Sequence, residues 1–244
     1  MNTRLLKVLV VSAAGFGLCA PFNATAQPID LPDIPECTQL IPGAIALENV
    51  PVTLHVRVLL DGVTQTQAEQ VVAVAEQAYT PQQLTFSASY EPVSFSGNDA
   101  LGLITQARNH FGGARPSGED LVYVLTSKDI SAAPAGNAVA GLADCIGGVA
   151  FGDRAFAVGE NLADQPQNLI LFNLGTQLAA KTFAHELGHL LGGHHHYANC
   201  VESLLGLGDS LCTLMFNELS LQRTQFSTLN AIVVRGHSQL FAAP

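Results

Sequence analysis

The run His185-Glu186-Leu187-Gly188-His189-Leu190-Leu191-Gly192-Gly193-His194-His195-His196 decides how the chain is read. Residues four apart on an α-helix are separated by about 400° and about 6 Å, so His185 and His189 leave one face, one turn apart. Two imidazoles so placed can converge on one Zn²⁺ at about 2.0–2.1 Å each. Glu186 lies about 100° round the helix, beside such an ion rather than on it, where it can take a proton from water. Phe183, Leu187 and Leu190 point largely elsewhere and are free to pack. The third ligand needs a break in the helix, because on a continued helix His195 would stand about 9 Å beyond His189. Gly192 and Gly193 permit a left-handed turn that ends the helix and folds the chain back. In a short extended segment after that turn, alternate side chains point opposite ways. His195 can then face the metal while His194 and His196 turn away; either neighbour as ligand is the alternative.

Outward from this helix, which the pattern starts near Thr176 as N-cap, the chain alternates between strand and helix signals. Val52 to Leu60 has strand character, followed by the turn signal Asp61-Gly62. Gln67 to Tyr79 places Val71, Val74, Ala75 and Ala78 at helical spacing, with Pro81 as a stop. Leu84 to Tyr90 alternates as a strand, and Asp99 to Phe111 is helical through Leu103, Ile104 and Ala107. Leu121 to Thr126 suits a buried strand. This alternation predicts a mixed α/β sheet with helices packed on it. Ala132 to Phe156, rich in Gly and Ala, reads as loop and edge strand, and a last helix is expected near Ser227 to Arg235, capped by Ser227. His55, His110 and His237 read as surface or hydrogen-bonded histidines.

His185, Glu186, His189, Gly192 and His195 fit the metzincin pattern H-E-x-x-H-x-x-G-x-x-H at every defined position. Further on, Cys212-Thr213-Leu214-Met215-Phe216 resembles the family's Met-turn, in which Met215 would floor the three imidazoles. The upstream alternation, Ala140 to Cys145, the loop cysteines and the tail Phe226-Ser227-Thr228-Leu229-Asn230 resemble the reprolysin-like (adamalysin-like) branch. The resemblance implies a zincin-like α/β (α+β) fold: a mixed twisted sheet with packed helices in an upper lobe, residues 51 to about 192. A smaller irregular lower lobe, about 193 to 244, would carry the Met-turn and the C-terminal helix. It also implies one catalytic zinc and an edge strand, Gly141, Leu142, Ala143 and Asp144, along which a peptide lies extended. Side-chain preference would come from a pocket walled by residues 215 to 221. Two positions depart from the pattern. His196 stands where this branch usually has Asp, and no Tyr follows Met215 closely, so a tyrosine ligand or oxyanion helper is not supported.

Residues 1 to 26 read as an export signal. Arg4 and Lys7 precede an apolar and small run, Val8 to Leu18, and Ala24-Thr25-Ala26 offers a cleavage site before Gln27. That run is 11 residues long, against the roughly 20 that a membrane anchor needs. A secreted or periplasmic product is expected. Residues 27 to 50, with Pro28, Pro32, Pro35 and Pro42, form an extended arm before the catalytic domain, 51 to 244. Without the signal the chain keeps 8 basic against 20 acidic side chains, a net of −12. That balance opposes nucleic-acid binding, which needs clustered cations.

Of the five cysteines, Cys19 leaves with the signal. The remaining four suggest two disulfides in an exported protein. Cys200 with Cys212 would close a short loop worth roughly 3 kcal/mol, leaving Cys37 with Cys145. A latency role for Cys37 on the zinc is the lesser alternative, since its surroundings lack the usual Arg and Gly.

These readings converge on a monomeric zinc endopeptidase with peptide or protein substrates, Glu186 as base, and neither nucleic-acid nor membrane partners. A catalytically silent zinc-containing binding or toxin-like module, or a zinc hydrolase of non-peptide amides, would share the ligands. The intact Glu186 speaks against the silent module.

Overall fold

The first strand, β1 (Val52–Asp61), turns Leu54, Val56, Val58 and Leu60 to one face and Leu59 to the other, and all five are buried. A strand apolar on both faces belongs inside a sheet. In the computed structural model, which describes residues 34–132, 137–162, 174–195, 213–215 and 225–242, that is its place. The sheet also contains β2 (Leu84–Val93), β3 (Leu121–Thr126), β6 (Gly141–Ala143) and β7 (Phe156–Glu160), in the order β2-β1-β3-β7-β6. The first four of these neighbours run parallel, and β6 lies antiparallel to β7 at the edge. A two-stranded ribbon, β4 (Ser131–Ala132) with β5 (Asn137–Ala138), precedes β6.

Helices cover both faces. On one side α1 (Gln65–Glu76) and α3 (Leu174–Leu190) meet Leu54, Val56, Tyr123 and Ala157. On the other, α2 (Ala100–His110) meets Leu59, Val122, Val124, Phe156 and Val158. A final helix, α4 (Thr228–Phe241), adds Val234 to the first cluster. The alternation of β3 and β7 between the two clusters explains why both read as apolar runs. Among the described residues no helix is long and apolar enough to cross a membrane.

The architecture is the mixed α/β sheet expected, with several boundaries moved. α1 begins at Gln65, two residues before the predicted Gln67, because Thr64 and Gln67 form a reciprocal capping box. It ends at Glu76, short of Tyr79. The chain then turns through a short 3₁₀ helix, residues 80–82, and the left-handed Gln83, φ 57°, into β2. Asp99 proves to be the N-cap of α2, its carboxylate accepting from the Gly102 amide. Thr176 is not an N-cap, since α3 already runs from Leu174. The Ser227 cap holds, but α4 continues to Phe241. Strand β7 has no counterpart among the predicted strands.

The arm, described from residue 34, runs extended apart from a 3₁₀ turn at Pro42–Ala44. Its Cys37 is joined to Cys145 with Sγ atoms 2.12 Å apart, the expected pairing; a thiol on the metal is thereby replaced by a disulfide. Cys200 and Cys212 lie outside the described residues.

Candidate metal centre and catalytic site

Helix α3 presents His185 and His189 one turn apart, and its ending supplies the third histidine. The Gly192 amide donates to the His189 carbonyl (2.9 Å) and the Gly193 amide to the Gly188 carbonyl (2.7 Å), the paired bonds of a left-handed helix stop. Gly192 has φ +84°, and a Cβ there would lie 2.2 Å from Cε1 of His237 on α4. Only glycine meets both demands. Beyond the stop, Asn230 of α4 grips the backbone of His194 with both ends of its amide. Its Oδ1 accepts from the His194 N–H at 2.9 Å, and its Nδ2 donates to the His194 carbonyl at 3.2 Å. His195 is thus turned back towards the helix. His194 is buried away from it, with Nδ1 3.5 Å from Oε1 of Glu36.

The Nε2 atoms of His185, His189 and His195 lie 3.0–3.1 Å from one another. His185 donates through Nδ1 to the Leu214 carbonyl (2.9 Å) and His189 through Nδ1 to the Gly193 carbonyl (2.8 Å). A carbonyl can only accept, so each Nδ1 carries the proton and each neutral ring turns its Nε2 lone pair inward. Three nitrogens sharing a tetrahedral ion at ~2.0–2.1 Å stand about 3.3 Å apart, close to the spacing found. Lone pairs crowded like this repel unless a cation lies among them, so the donor set fits a zinc-type ion. Burial first, and then the neighbouring His195, pushes His185 down to about 3, and burial and both partner histidines lower His189 as well. Both imidazoles are therefore held neutral, the state that binding a metal requires.

Glu186 is buried beside this cluster. The Ala143 backbone of β6 lies close enough to act on its charge, while Oε2 has no hydrogen-bond partner among the described residues. Burial raises its pKa to about 8, opposed by the nearby Ala143 backbone N–H dipole. A bound cation would pull it back down by favouring the carboxylate. Met215 is fully buried against α3: a Cβ on Gly188 would lie 2.6 Å from its Sδ, and one on Gly193 3.3 Å from its Cε. Gly188 thus lets the methionine come up against α3.

The edge strand lies on the other bank. A Cβ on Gly141 would lie 2.6 Å from Cγ2 of Thr182 and 2.7 Å from Cγ and Oε1 of Glu186, so the bare backbone lets α3 approach β6. Asp144, expected as the end of the edge strand, lies just past it. Its carboxylate is paired with Arg108 (2.7 Å) and Arg154 (2.6 Å), which braces the end of the strand. Gly141, Leu142 and Ile34 complete the pocket around the imidazoles and Glu186. His196 and residues 216–221 of the expected pocket wall lie outside the described residues. His55 sits half-buried in β1, His110 closes α2 within 2.7 Å of Glu91, and His237 is buried and donates to the Val233 carbonyl. Among the described residues, none of the three joins the histidine cluster that could hold a metal ion.

Sequence reasoning missed Asn230, Ile34 and the Ala143 amide. Asn230 was legible only as part of a tail resembling the branch, and nothing local marked Ile34.

A fold of this kind with three convergent histidines and an adjacent buried carboxylate defines a zinc-dependent metallopeptidase. The family model described as metallo-peptidase family M12B, reprolysin-like, matches residues 61–196, more than half of the chain, and the protein belongs to this family. Among solved structures, archaemetzincin from Methanopyrus kandleri is similar in fold, with a TM-score of 0.54 at 20% identity. That alignment covers 77% of this chain and 96% of the other. A structure of myroilysin matches with a TM-score of 0.32 and 15% identity, over 61% of this chain and 52% of that one, too remotely to carry an argument. No curated protein sequence matches the chain.

Proposed function

We propose that the protein is an exported zinc endopeptidase in which His185, His189 and His195 hold one zinc ion and Glu186 is the general base. The observation that carries this reading is Oε2 of Glu186, without a hydrogen-bond partner among the described residues and buried beside three imidazoles whose inward nitrogens lie within 3.1 Å of each other. A zinc ion there supplies Lewis acidity, polarising a scissile carbonyl and acidifying water.

The chain's own residues do the rest. Leu214 and Gly193 carbonyls fix the imidazole tautomers through Nδ1, a support whose loss typically costs metal affinity. Glu186 accepts the proton of the attacking water on Oε2 and delivers it to the departing amine. The bare backbone of Gly141 leaves room for the Glu186 side chain against β6, which keeps the base beside the imidazoles. Substrate lies extended on the free edge of β6, where backbone hydrogen bonds favour a peptide over other amides and tolerate varied side chains. Export follows from the reading of residues 1–26, with the mature chain beginning at Gln27, and the enzyme acts as a monomer.

Digestion of a peptide library by the wild type and by Glu186→Ala, each with and without a chelator, tests this. Internal cleavages that vanish in both the variant and the chelated sample are expected. Undiminished cleavage by Glu186→Ala would mean that another group is the base.

A further inference from the structure

Ile34 is separated from every other residue of the pocket by more than a hundred positions, yet it lines the same space as Leu142, Glu186 and the imidazoles. We propose that the arm is a permanent wall of the substrate cleft, in which Ile34 restricts the peptide residue passing it to small side chains. This rests on the peptidase reading and adds a specificity determinant to it.

The arm is fastened on both banks. On the edge-strand side Glu36 bridges Ile146 in parallel. The Ile146 amide donates to the Pro35 carbonyl (2.9 Å), and the Cys37 and Thr38 amides donate to the Ile146 carbonyl (2.8 and 3.2 Å). The Cys37–Cys145 disulfide locks that pairing three residues from Ile34. On the ligand side, Glu36 faces His194, whose neighbour is the third histidine. Farther along, Arg235 of α4 donates to the carbonyls of Glu48 and Val50, and Ile45 packs against Gly236. These ties join residues 34–50 to the body of the domain. They would persist whatever happened to the chain upstream, which distinguishes a wall from a removable plug.

The single parallel bridge of Glu36 with Ile146 leaves Ile34 two residues back along the arm, towards the end of β6, where it lines the pocket with Gly141 and Leu142. There Ile34 packs on the cluster that contains Leu142, beside the strand whose Ala143 amide faces the catalytic carboxylate. A peptide laid on this edge sends alternate side chains towards the same spot, where a β-branched side chain already stands.

The test compares the full mature protein with Ile34→Ala and with Cys37→Ser/Cys145→Ser, using paired peptides that differ only in Ala against Leu or Phe at one position, scanned along the sequence. At one position Ile34→Ala should raise kcat/KM for the bulky peptide relative to its Ala partner by about tenfold. The arm-loosened double variant should shift the same way. A second readout is fluorescence anisotropy of the same peptides on zinc-loaded Glu186→Ala, with and without Ile34→Ala, where the ratio of Kd values should move in parallel. An equal gain for every peptide would show a plug rather than a wall, and ratios unchanged at all positions would put Ile34 outside the peptide's path; either result overturns the proposal. A wild type that neither cleaves nor binds any peptide overturns the peptidase reading, and this inference with it. Normal cleavage with unmoved ratios overturns the inference alone.

Discussion

Helix α3 and the N-terminal arm reach the same pocket by opposite routes. In α3, His185, Glu186 and His189 are placed by the geometry of a single helical turn, and almost any well-formed helix would put them there. Ile34 arrives only because a disulfide, a strand bridge and α4 hold a segment far away in sequence against the cleft. The histidine His195 belongs between these extremes. Its turn is local, set by Gly192, but its aim is fixed by Asn230 from α4. In the proposed centre, ligand identity is thus a local property of the chain, whereas ligand aim, base placement and cleft shape come from distant elements.

Substitutions at the distant elements probe that division. The largest effect is expected for Gly141→Ala on β6. The added methyl would lie 2.7 Å from the Glu186 carboxylate and 2.6 Å from Thr182, displacing the base without touching a ligand. A displacement near 1 Å costs about 100-fold in turnover. Steady-state rates should fall by that order while zinc content, measured by mass spectrometry, stays at the wild-type level. If Gly141→Ala lost its zinc instead, base and ligand placement could not be separated.

Next comes Asn230→Ala, which frees the backbone of His194 and so the aim of His195. Supports of this kind are worth about 10–100-fold in metal affinity. Competition with a chromophoric chelator should show such a loss, and unchanged affinity would mean that Gly192 alone directs the third ligand.

The smallest effect concerns pH. His237 is buried against Gly192 with its pKa lowered, chiefly by burial. The unfolded chain takes up a proton below an ordinary histidine pKa of about 6.5 that the folded chain refuses. The associated stability is therefore complete above about pH 6.5 and declines as the solution is acidified through that value. In thermal melts from about pH 7 to about pH 5, His237→Gln should show a shallower fall in Tm than the wild type. Parallel curves would remove His237 from the acid response.

What was legible in the sequence follows the same division. The sheet and helices before residue 126 could be read because each carries its period within ten or so residues, as β1 and α2 do. β7 escaped because Phe156–Glu160 is short, buried on both faces and ends in Gly159-Glu160, so it shows no alternation. The start of α3 was misplaced at Thr176, where a capping residue type happened to lie inside the helix. In the site, spacing alone singled out His185, Glu186 and His189, which the structure places together around one pocket. Asn230, the Ala143 amide and Ile34 act through contacts that only the folded chain brings together.

The central claim is that three histidines hold the metal while Glu186 serves the chemistry without holding it. Zinc stoichiometry and peptide turnover measured side by side for Glu186→Gln and His195→Ala test this most directly. The account predicts full zinc with turnover lowered at least about a thousandfold in Glu186→Gln, and loss of both zinc and turnover in His195→Ala. Zinc lost from Glu186→Gln, or wild-type zinc retained by His195→Ala, would contradict it.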